Sequence, residues 1–412
     1  MSDHTLQEHA QRAITECQQI AQMSEEPGRV TRHFLTPPVH GVHAHLQRRM
    51  QSLGMVVHTD AAGNLRGLWQ PAGAPGKRLI LGSHIDTVPN AGAFDGVLGV
   101  TLAIELVEIA QDLKLRLPIE VIAFSEEEGV RFGVPFIGSR AAAGRFDSAL
   151  LNLKDSSGVS LEKAIRDFGL DPDKISDAAL ESDTLGFVEI HIEQGPVLEA
   201  EGLPVAAVTT IVGQTRLTLE FRGHANHSGT TPMHLRRDAL AGAADLIFAV
   251  ESLALKTEGL IATVGKIDVE PNAANVIAGV ARVSLDVRHA DDASRKTAVE
   301  SLFTQAQAIA SRRGLTLQTA RQMDQSAAPM DQRLTAFLAT AIEAAGLPAK
   351  QMPSGAGHDA MVMAARMPAA MLFLRSPGGI SHHPDESVLE EDVAAALKVG
   401  SKFLQRLAAE VG

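Results

Sequence analysis

Apolar residues recur at three- and four-residue spacing along Leu6-Ala10-Ala13-Ile14 and again along Val42-Leu46-Met50-Leu53. That period predicts two amphipathic helices before residue 70, the second closed by Gly54. Val56-Val57, Leu65 and Leu68-Trp69 suggest short strands, and Pro71 to Gly76 is a turn-rich connection. From Lys77 the pattern alternates: a buried strand at Leu79–Leu81, a helix over Val97–Ile109, a strand at Ile119–Phe124. Strands alternating with helices predict an α/β domain with helices covering a mainly parallel or mixed sheet.

Near residue 207 the rhythm changes. Strands are expected at Ala207–Val212, Leu217–Phe221, Ile261–Ile267, Val276–Val287 and Leu315–Thr319, with helices at Arg237–Leu253 and Ser294–Arg312. This sheet-plus-two-helix unit predicts an α+β insertion. The first rhythm then resumes with a helix at Arg333–Ala345, a strand at Ala369–Leu374 and a closing helix at Glu391–Ala409. The expectation is a discontinuous main domain, 1–210 and 328–412, interrupted by a smaller one, 211–327.

Composition narrows the function classes. A chain of 412 residues with 45% hydrophobic and 21% charged residues can bury a large core. The net charge of -12, from 37 basic and 49 acidic side chains, argues against nucleic-acid binding and against an anionic membrane surface. No apolar stretch approaches the roughly 18 residues a membrane span needs. MSDHTLQEHAQRA has no basic start followed by an apolar run, so no signal peptide is expected. Cys17 stands alone, cannot pair within the chain and has no obvious base beside it; a cysteine-poor chain suits a reducing cytoplasm.

Chemistry gathers at the ends of the expected strands. After Leu79–Leu81 comes Gly82-Ser83-His84-Ile85-Asp86-Thr87-Val88, then Phe94-Asp95-Gly96. After Ile119–Phe124 comes Ser125-Glu126-Glu127-Glu128-Gly129. Three adjacent carboxylates repel one another, and a metal would offset that repulsion, with one Glu coordinating and a neighbour taking a proton. His191 lies in a β-branched segment ending in Gly-Pro, and His382-His383 follow Gly378-Gly379-Ile380-Ser381. A stray histidine is usually a satisfied surface or core group. Here His84, Asp95, Glu128, His191 and one of His382/His383 all fall at strand ends of the main domain. Five N/O ligands suit a two-metal site bridged by Asp95, with open positions for water and substrate. Neither phosphate-binding glycine motif is present. His40, His43 and His45 fall on different helical faces, Met361, Met363 and Met367 read as core, and Arg237-Asp238 reads as a local ion pair. Arg131 in the GVRF turn could brace the glutamate loop.

These motifs together resemble one family. GSHIDTV (82–88), FDGVLG (94–99), EEEGVRF (126–132), HIEQGPVLE (191–199), GHANHSGTTPM (223–233), NAANVI (272–277), SGAGHDA (354–360) and GISHHP (379–384) are similar to the dinuclear zinc amidohydrolases of the hydantoinase/carbamoylase group. These are relatives of aminoacylases and glutamate carboxypeptidases, and the match runs nearly end to end. The resemblance implies a metallohydrolase domain with a ferredoxin-like lid and dimerisation domain inserted. It implies one ion on His84, Asp95 and His191 and a second on Asp95, Glu128 and His382, which selects His382 over His383. Two divalent ions are expected, zinc first, with manganese, cobalt or nickel accepted by the same ligands.

Glu127 would then be the general base and Asp86 the support behind His84. His227, selected over His224, would reach the active site across a homodimer. Asn275 and Arg288 would bind a substrate carboxylate, Arg288 as a bidentate partner. Gln194, Gln214 and the backbone at Gly357 would add substrate contacts, and His358-Asp359 would shape the site. The implied reaction is hydrolysis of a ureido C–N bond in an N-carbamoyl-L-amino acid or allantoate, with the insertion closing about hinges near 207–213 and 325–330. The rival readings are a peptidase or aminoacylase cleaving ordinary amides, and a catalytically silent metal-binding dimerisation protein.

Overall fold

Strands made almost wholly of apolar residues must be covered on both faces, and four of them form the centre of the larger sheet. In the computed structural model, which describes residues 2–74, 76–181 and 184–411, the first six strands are β1 (Val56–Thr59), β2 (Leu65–Trp69), β3 (Arg78–His84), β4 (Ile119–Phe124), β5 (Thr184–Ile192) and β6 (Val205–Ile211). β7 (Gly213–Arg222), β8 (Ile261–Thr263), β9 (Ile267–Glu270), β10 (Val280–His289) and β11 (Thr316–Gln325) follow. The last three are β12 (Ala328–Pro329), β13 (Gln351–Ser354) and β14 (Ala369–Leu374). Pro75, within the expected turn after β2, lies outside the described residues.

The chain divides into two compact units, residues 1–209 with 329–412, and residues 210–328. In the larger unit the strand order is β1-β2-β4-β3-β5-β14-β6-β12, with β13 on β6. β4, β3, β5 and β14 form a parallel block, whereas β2 runs antiparallel to β1 and β4, and β6 antiparallel to β14. The mixed α/β class read from the alternating pattern therefore holds. All six positions of β4 and of β14 are buried. The helix Val97–Asp112 buries nearly its whole surface, and helices Asp3–Ala21 and Glu390–Val411 share its core. Cys17 is fully buried against the Thr101 hydroxyl, and burial pushes its thiol pKa up to about 12, so it is no nucleophile.

Parallel strands deliver their carboxyl ends to one edge. His84 pairs with Phe124, Phe373 with His191, and Leu81 with Val188, three residues before His84 and His191 alike. The loops after β3, β4, β5 and β14 thus leave the sheet side by side, the usual position of a ligand site in such sheets.

The smaller unit is an antiparallel sheet, β11-β7-β10-β8 with β9 also on β10. Helices Ala239–Lys256 and Asp292–Arg313 share its apolar core. β10 alternates buried and half-buried positions, as a sheet covered on one face requires. Three strand expectations are corrected here. Ile261–Ile267 is not one strand: β8 and β9 pair separately with β10, and Gly265 falls in the interruption. The strand expected from Val276 begins at Val280, because the Ile277 amide donates instead to the Asn226 carbonyl. β11 runs on to Gln325, its exposed polar residues hiding it from a hydrophobicity pattern. No helix among the described residues is long and apolar enough to cross a membrane.

Candidate metal and active site

Asp95 sits in a tight turn whose geometry depends on the glycine after it. Gly96 has φ +66°, and a Cβ there would lie 2.5 Å from three atoms of the His84 ring. The missing side chain lets His84, at the end of β3, lie against the loop that carries Asp95. His84, Asp95 and His191 each present a ligand atom within 4.8 Å of the others, as do Asp95, Glu128 and His382. Asp95 faces both groups. Its Oδ1 lies 3.2 Å from His191 Nε2 and 3.8 Å from His84 Nε2, and its Oδ2 lies 3.2 Å from His382 Nε2. His382 Nε2 is also 3.4 Å from Glu128 Oε1, while exposed His383 faces Asp385.

The donor set fits divalent cations. The Nδ1 of His84 faces the Asp86 carbonyl at 3.1 Å and that of His191 the Ile192 carbonyl at 2.8 Å. Those acceptors favour the neutral tautomer that leaves each Nε2 bare, and the two Nε2 atoms stand 3.4 Å apart. Asp95 Oδ1 is buried and accepts no hydrogen bond. Buried lone pairs converging without donors are costly unless a cation meets them.

The same carboxylates draw protons onto the imidazoles, protons that a bound cation would displace. Burial opposes a charged His84, but its hydrogen bond to Asp86 and the charges of Asp86, Glu127 and Asp95 outweigh that and hold its pKa well above the usual range. Hydrogen bonds to Asp95 and Glu128 push His382 up to about 10. Burial would raise Asp95, yet the facing imidazoles of His191, His382 and His84 keep it well below the carboxylate norm.

Glu127 forms a third ligand-type group with His84 and Glu128. It is buried, and desolvation drives its carboxyl pKa well above normal, with Glu128, Asp359 and Asp86 adding to the effect against the His84 charge. A carboxyl group so placed holds a proton more readily than an ordinary carboxylate, as a proton carrier in hydrolysis must. Asp86 reaches both sides: Oδ1 stands 3.4 Å from His84 Nδ1 and accepts the Glu127 amide at 2.9 Å, and Oδ2 accepts the Glu128 amide at 3.0 Å. Gln194, at φ 58°, donates from Nε2 to Asp95 Oδ2 (3.1 Å) and stands 3.3 Å from His382 Nε2. Arg131 braces the glutamate loop through the Phe34 carbonyl and Asp155.

Around this cluster lie the candidates His358 and Gly357 and two residues the sequence did not single out, Glu189 and Arg32. Glu189, two positions before His191 and on the same strand face, accepts from the Ser83 hydroxyl and the Ala360 amide. His358, whose ring centroid is 4.5 Å from that of His191, faces Ser354 Oγ at 2.9 Å. Glu189, His191 and His358 form another ligand-type group, but both His191 ring nitrogens are engaged already. Fully buried Arg32 donates to the carbonyls of Ile85, Ile20 and Met23, and its own main chain pairs with Thr87 on both sides. It thereby clamps the segment that presents Asp86. Gly357 is exposed, and a Cβ there would sit 3.0 Å from Phe136. Glu189 and Arg32 carried no motif signal of charge or repeated spacing.

The remaining candidates belong to the smaller unit. His227 is exposed on a loop that bridges to Val276, and exposed Asn275 accepts the Ser228 amide through its carbonyl. Arg288 on β10 lies opposite Gln214 on β7, and both donate to Asp286, Arg288 through Nε (3.0 Å) and a terminal nitrogen (2.9 Å). The expected Arg237–Asp238 ion pair does not form: Asp238 instead caps the helix Ala239–Lys256 by accepting the Ala241 amide.

The model of Peptidase family M20/M25/M40 matches residues 80–406. The chain belongs to that family. M20 relatives at similar overall length include an N-carbamoyl-L-amino acid amidohydrolase of Geobacillus stearothermophilus, 37% identical over 92% of this chain and 94% of that one. An allantoate deiminase of Arabidopsis thaliana is 36% identical over 95% and 81%. Among solved structures, a hydantoinase/carbamoylase family amidase from Burkholderia multivorans superposes with a TM-score of 0.91 at 31% identity, covering 96% of this chain and 97% of that one. This M20 chain is thus a hydrolase acting on amide C–N bonds, in a family of metal-dependent enzymes.

Proposed function

We propose that this chain hydrolyses the ureido C–N bond of a small carboxylate-bearing substrate, allantoate or an N-carbamoyl-L-amino acid, releasing ammonia and carbon dioxide. The observation that carries the reading is the pair of His/carboxylate groups sharing Asp95, with the protonatable Glu127 beside them. The names of the relatives supply the substrate class.

In this reading His84, Asp95 and His191 hold one divalent ion, and Asp95, Glu128 and His382 hold the other, zinc being the first choice for such ligands. Bound there, the ions would acidify a water and polarise the ureido carbonyl. Glu127 takes the proton of the attacking water and passes it to the departing nitrogen, so one buried carboxyl serves as base and then acid. Asp86 keeps the Glu127–Glu128 amides and the His84 ring in register. The carbamate that leaves breaks down to ammonia and carbon dioxide.

Arg288, Gln214 and Asn275 are assigned to the substrate carboxylate, Gln194 and the Gly357 backbone to its remaining polar atoms. Closure of residues 211–327 about hinges near 207–213 and 325–330 is the step that engages them. His227 of the partner subunit would stabilise the negative charge developing on the carbonyl oxygen. Support for a homodimer comes from the small unit alone. Leu240, Ile247, Phe248 and Leu255 lie along one exposed face of a helix whose other face is core. Ile261 and Ile267 are exposed as well. A contiguous apolar face of this kind is unusual on a monomer. A cytoplasmic location agrees with the single buried thiol.

Ammonia release from allantoate, a panel of N-carbamoyl-L-amino acids and the matching N-acetyl compounds tests the substrate class. Glu127→Gln should keep its ions and lose turnover about a hundredfold or more. Undiminished turnover in that variant would remove Glu127 from the chemistry.

A further inference from the structure

Glu386 lies four residues after His382 and is 5% exposed, deep for a carboxylate. One oxygen, Oε1, accepts both the Phe94 amide (2.9 Å) and the Asp95 amide (3.0 Å). The other, Oε2, accepts the Ser381 hydroxyl at 3.0 Å. A single side chain therefore ties the loop after β3 to the turn after β14, segments almost three hundred residues apart in sequence.

Two further observations show that the surroundings are shaped for this carboxylate. A Cβ on Gly92 would lie 2.3 Å from the Glu386 Cβ and 2.5 Å from Oε1, so the loop leading to Asp95 admits Glu386 only because residue 92 is glycine. His382 itself sits at φ 57°, a left-handed backbone that a β-carbon resists and that persists only where neighbours hold it. The neighbouring turn is closed by the Glu386 amide donating to the His383 carbonyl at 3.0 Å. Ser381, held by Glu386, also stands 3.4 Å from Asp95 Oδ2.

We propose that Glu386 is a positioning residue that locks Asp95 and the His382 turn together and thereby sets occupancy of the outer ion subsite, formed by Asp95 Oδ2, Glu128 and His382. The claim rests on the two-ion reading of the site. The inner subsite has other supports, since His84 and His191 are fixed by β3, β5 and the carbonyls of Asp86 and Ile192. The outer one depends on half-exposed His382, which directly follows Ser381, whose hydroxyl Glu386 holds. Substitution of Glu386 should therefore weaken the two ions unequally.

The experiment titrates zinc into the apo full-length chain, by chelator competition and calorimetry, for the parent, Glu386→Gln and Gly92→Ala. Two ions in the parent are required; fewer would overturn the two-ion reading and this inference with it. Given two, Glu386→Gln is expected to hold the tighter ion within about threefold and to weaken the other roughly 10- to 100-fold, the usual scale for partners behind metal ligands. Gly92→Ala, which displaces Glu386 without altering it, should reproduce the selective loss if Glu386→Gln fails to fold. Unchanged binding of both ions, or equal weakening of both, would overturn the assignment while leaving the two-ion reading intact.

Discussion

Asp86 Oδ1 accepts the backbone amide of Glu127 at 2.9 Å while standing 3.4 Å from His84 Nδ1. One carboxylate thus fixes a metal-type imidazole and the main chain of the proposed base. Asp86→Asn keeps the size but offers one acceptor where two amides and a ring N–H converge. Turnover should fall about 10- to 100-fold with weaker zinc binding. Steady-state ammonia release alongside zinc titration checks this, and a variant with parental kcat and affinity would contradict it.

Gly96→Ala should be among the most damaging single-methyl additions in the chain. The new Cβ meets the His84 ring at 2.5 Å, and φ +66° costs a non-glycine residue about 1–2 kcal/mol. His84 must move, so the variant should bind at most one ion per chain and lose more than about tenfold in turnover. Elemental analysis after dialysis measures the first quantity. Two ions retained with full activity would show that His84 needs no such close approach.

The strand ends were legible because buried parallel strands announce themselves as apolar runs, and His84, Glu127, Glu128 and His191 follow such runs directly. The ligand set came from the motifs, and the structure gathers its side chains into two groups sharing Asp95, the ligand atoms of each within 4.8 Å of one another. Support was harder to see. Arg32, Glu189 and Glu386 each act through backbone amides or carbonyls far away in sequence, and no local pattern encodes such partners. The family resemblance implied Asp86 as the support behind His84, but not as the acceptor for two amides on another loop. In the smaller unit the exposed β11 escaped full reading for a related reason: edge-strand pairing, not burial, holds it.

Arg288 forms two hydrogen bonds to Asp286, which Gln214 and Arg216 also engage, so the guanidinium is pre-oriented on β10. Arg288→Lys loses the planar fork. For a carboxylate substrate KM should rise about 10-fold or more with kcat changed far less, since uniform binding is what is removed. Equal KM for the variant and the parent would end the carboxylate assignment.

Phe248 is 71% exposed and Leu255 83% exposed on the outer face of the helix Ala239–Lys256. A charge at the centre of an apolar interface is poorly tolerated, and a buried aromatic anchor contributes about 2 kcal/mol or more. Phe248→Asp should shift a dimer towards monomer by at least about tenfold in Kd. Sedimentation velocity over a concentration series reads this directly. An identical distribution for variant and parent would exclude this face from the interface.

Glu16 offers a pH test remote from the active site. It stands 3.3 Å from Arg49 in a cluster where Arg12 and Arg49 also meet Glu105 and Glu108. Burial pushes Glu16 up to about 7, against Arg49, whereas Glu105, despite burial, is brought down to about 2 by hydrogen bonds from Arg12 and His9. A carboxyl with a raised folded-state pKa binds its proton more tightly folded than unfolded, so its contribution is greatest at low pH. That contribution declines between the ordinary value of 4.5 and about 7 and is constant above. Glu105 behaves oppositely: its stabilisation is present above 4.5 and is lost as pH falls towards about 2. Glu16→Gln mimics the protonated form at every pH. The variant should match the parent near pH 4.5 and exceed it at pH 8 by about 1–3 kcal/mol. Urea unfolding at the two pH values measures the difference, and a gap that does not widen with pH would show that Glu16 is already ionised in the folded chain at the lower pH.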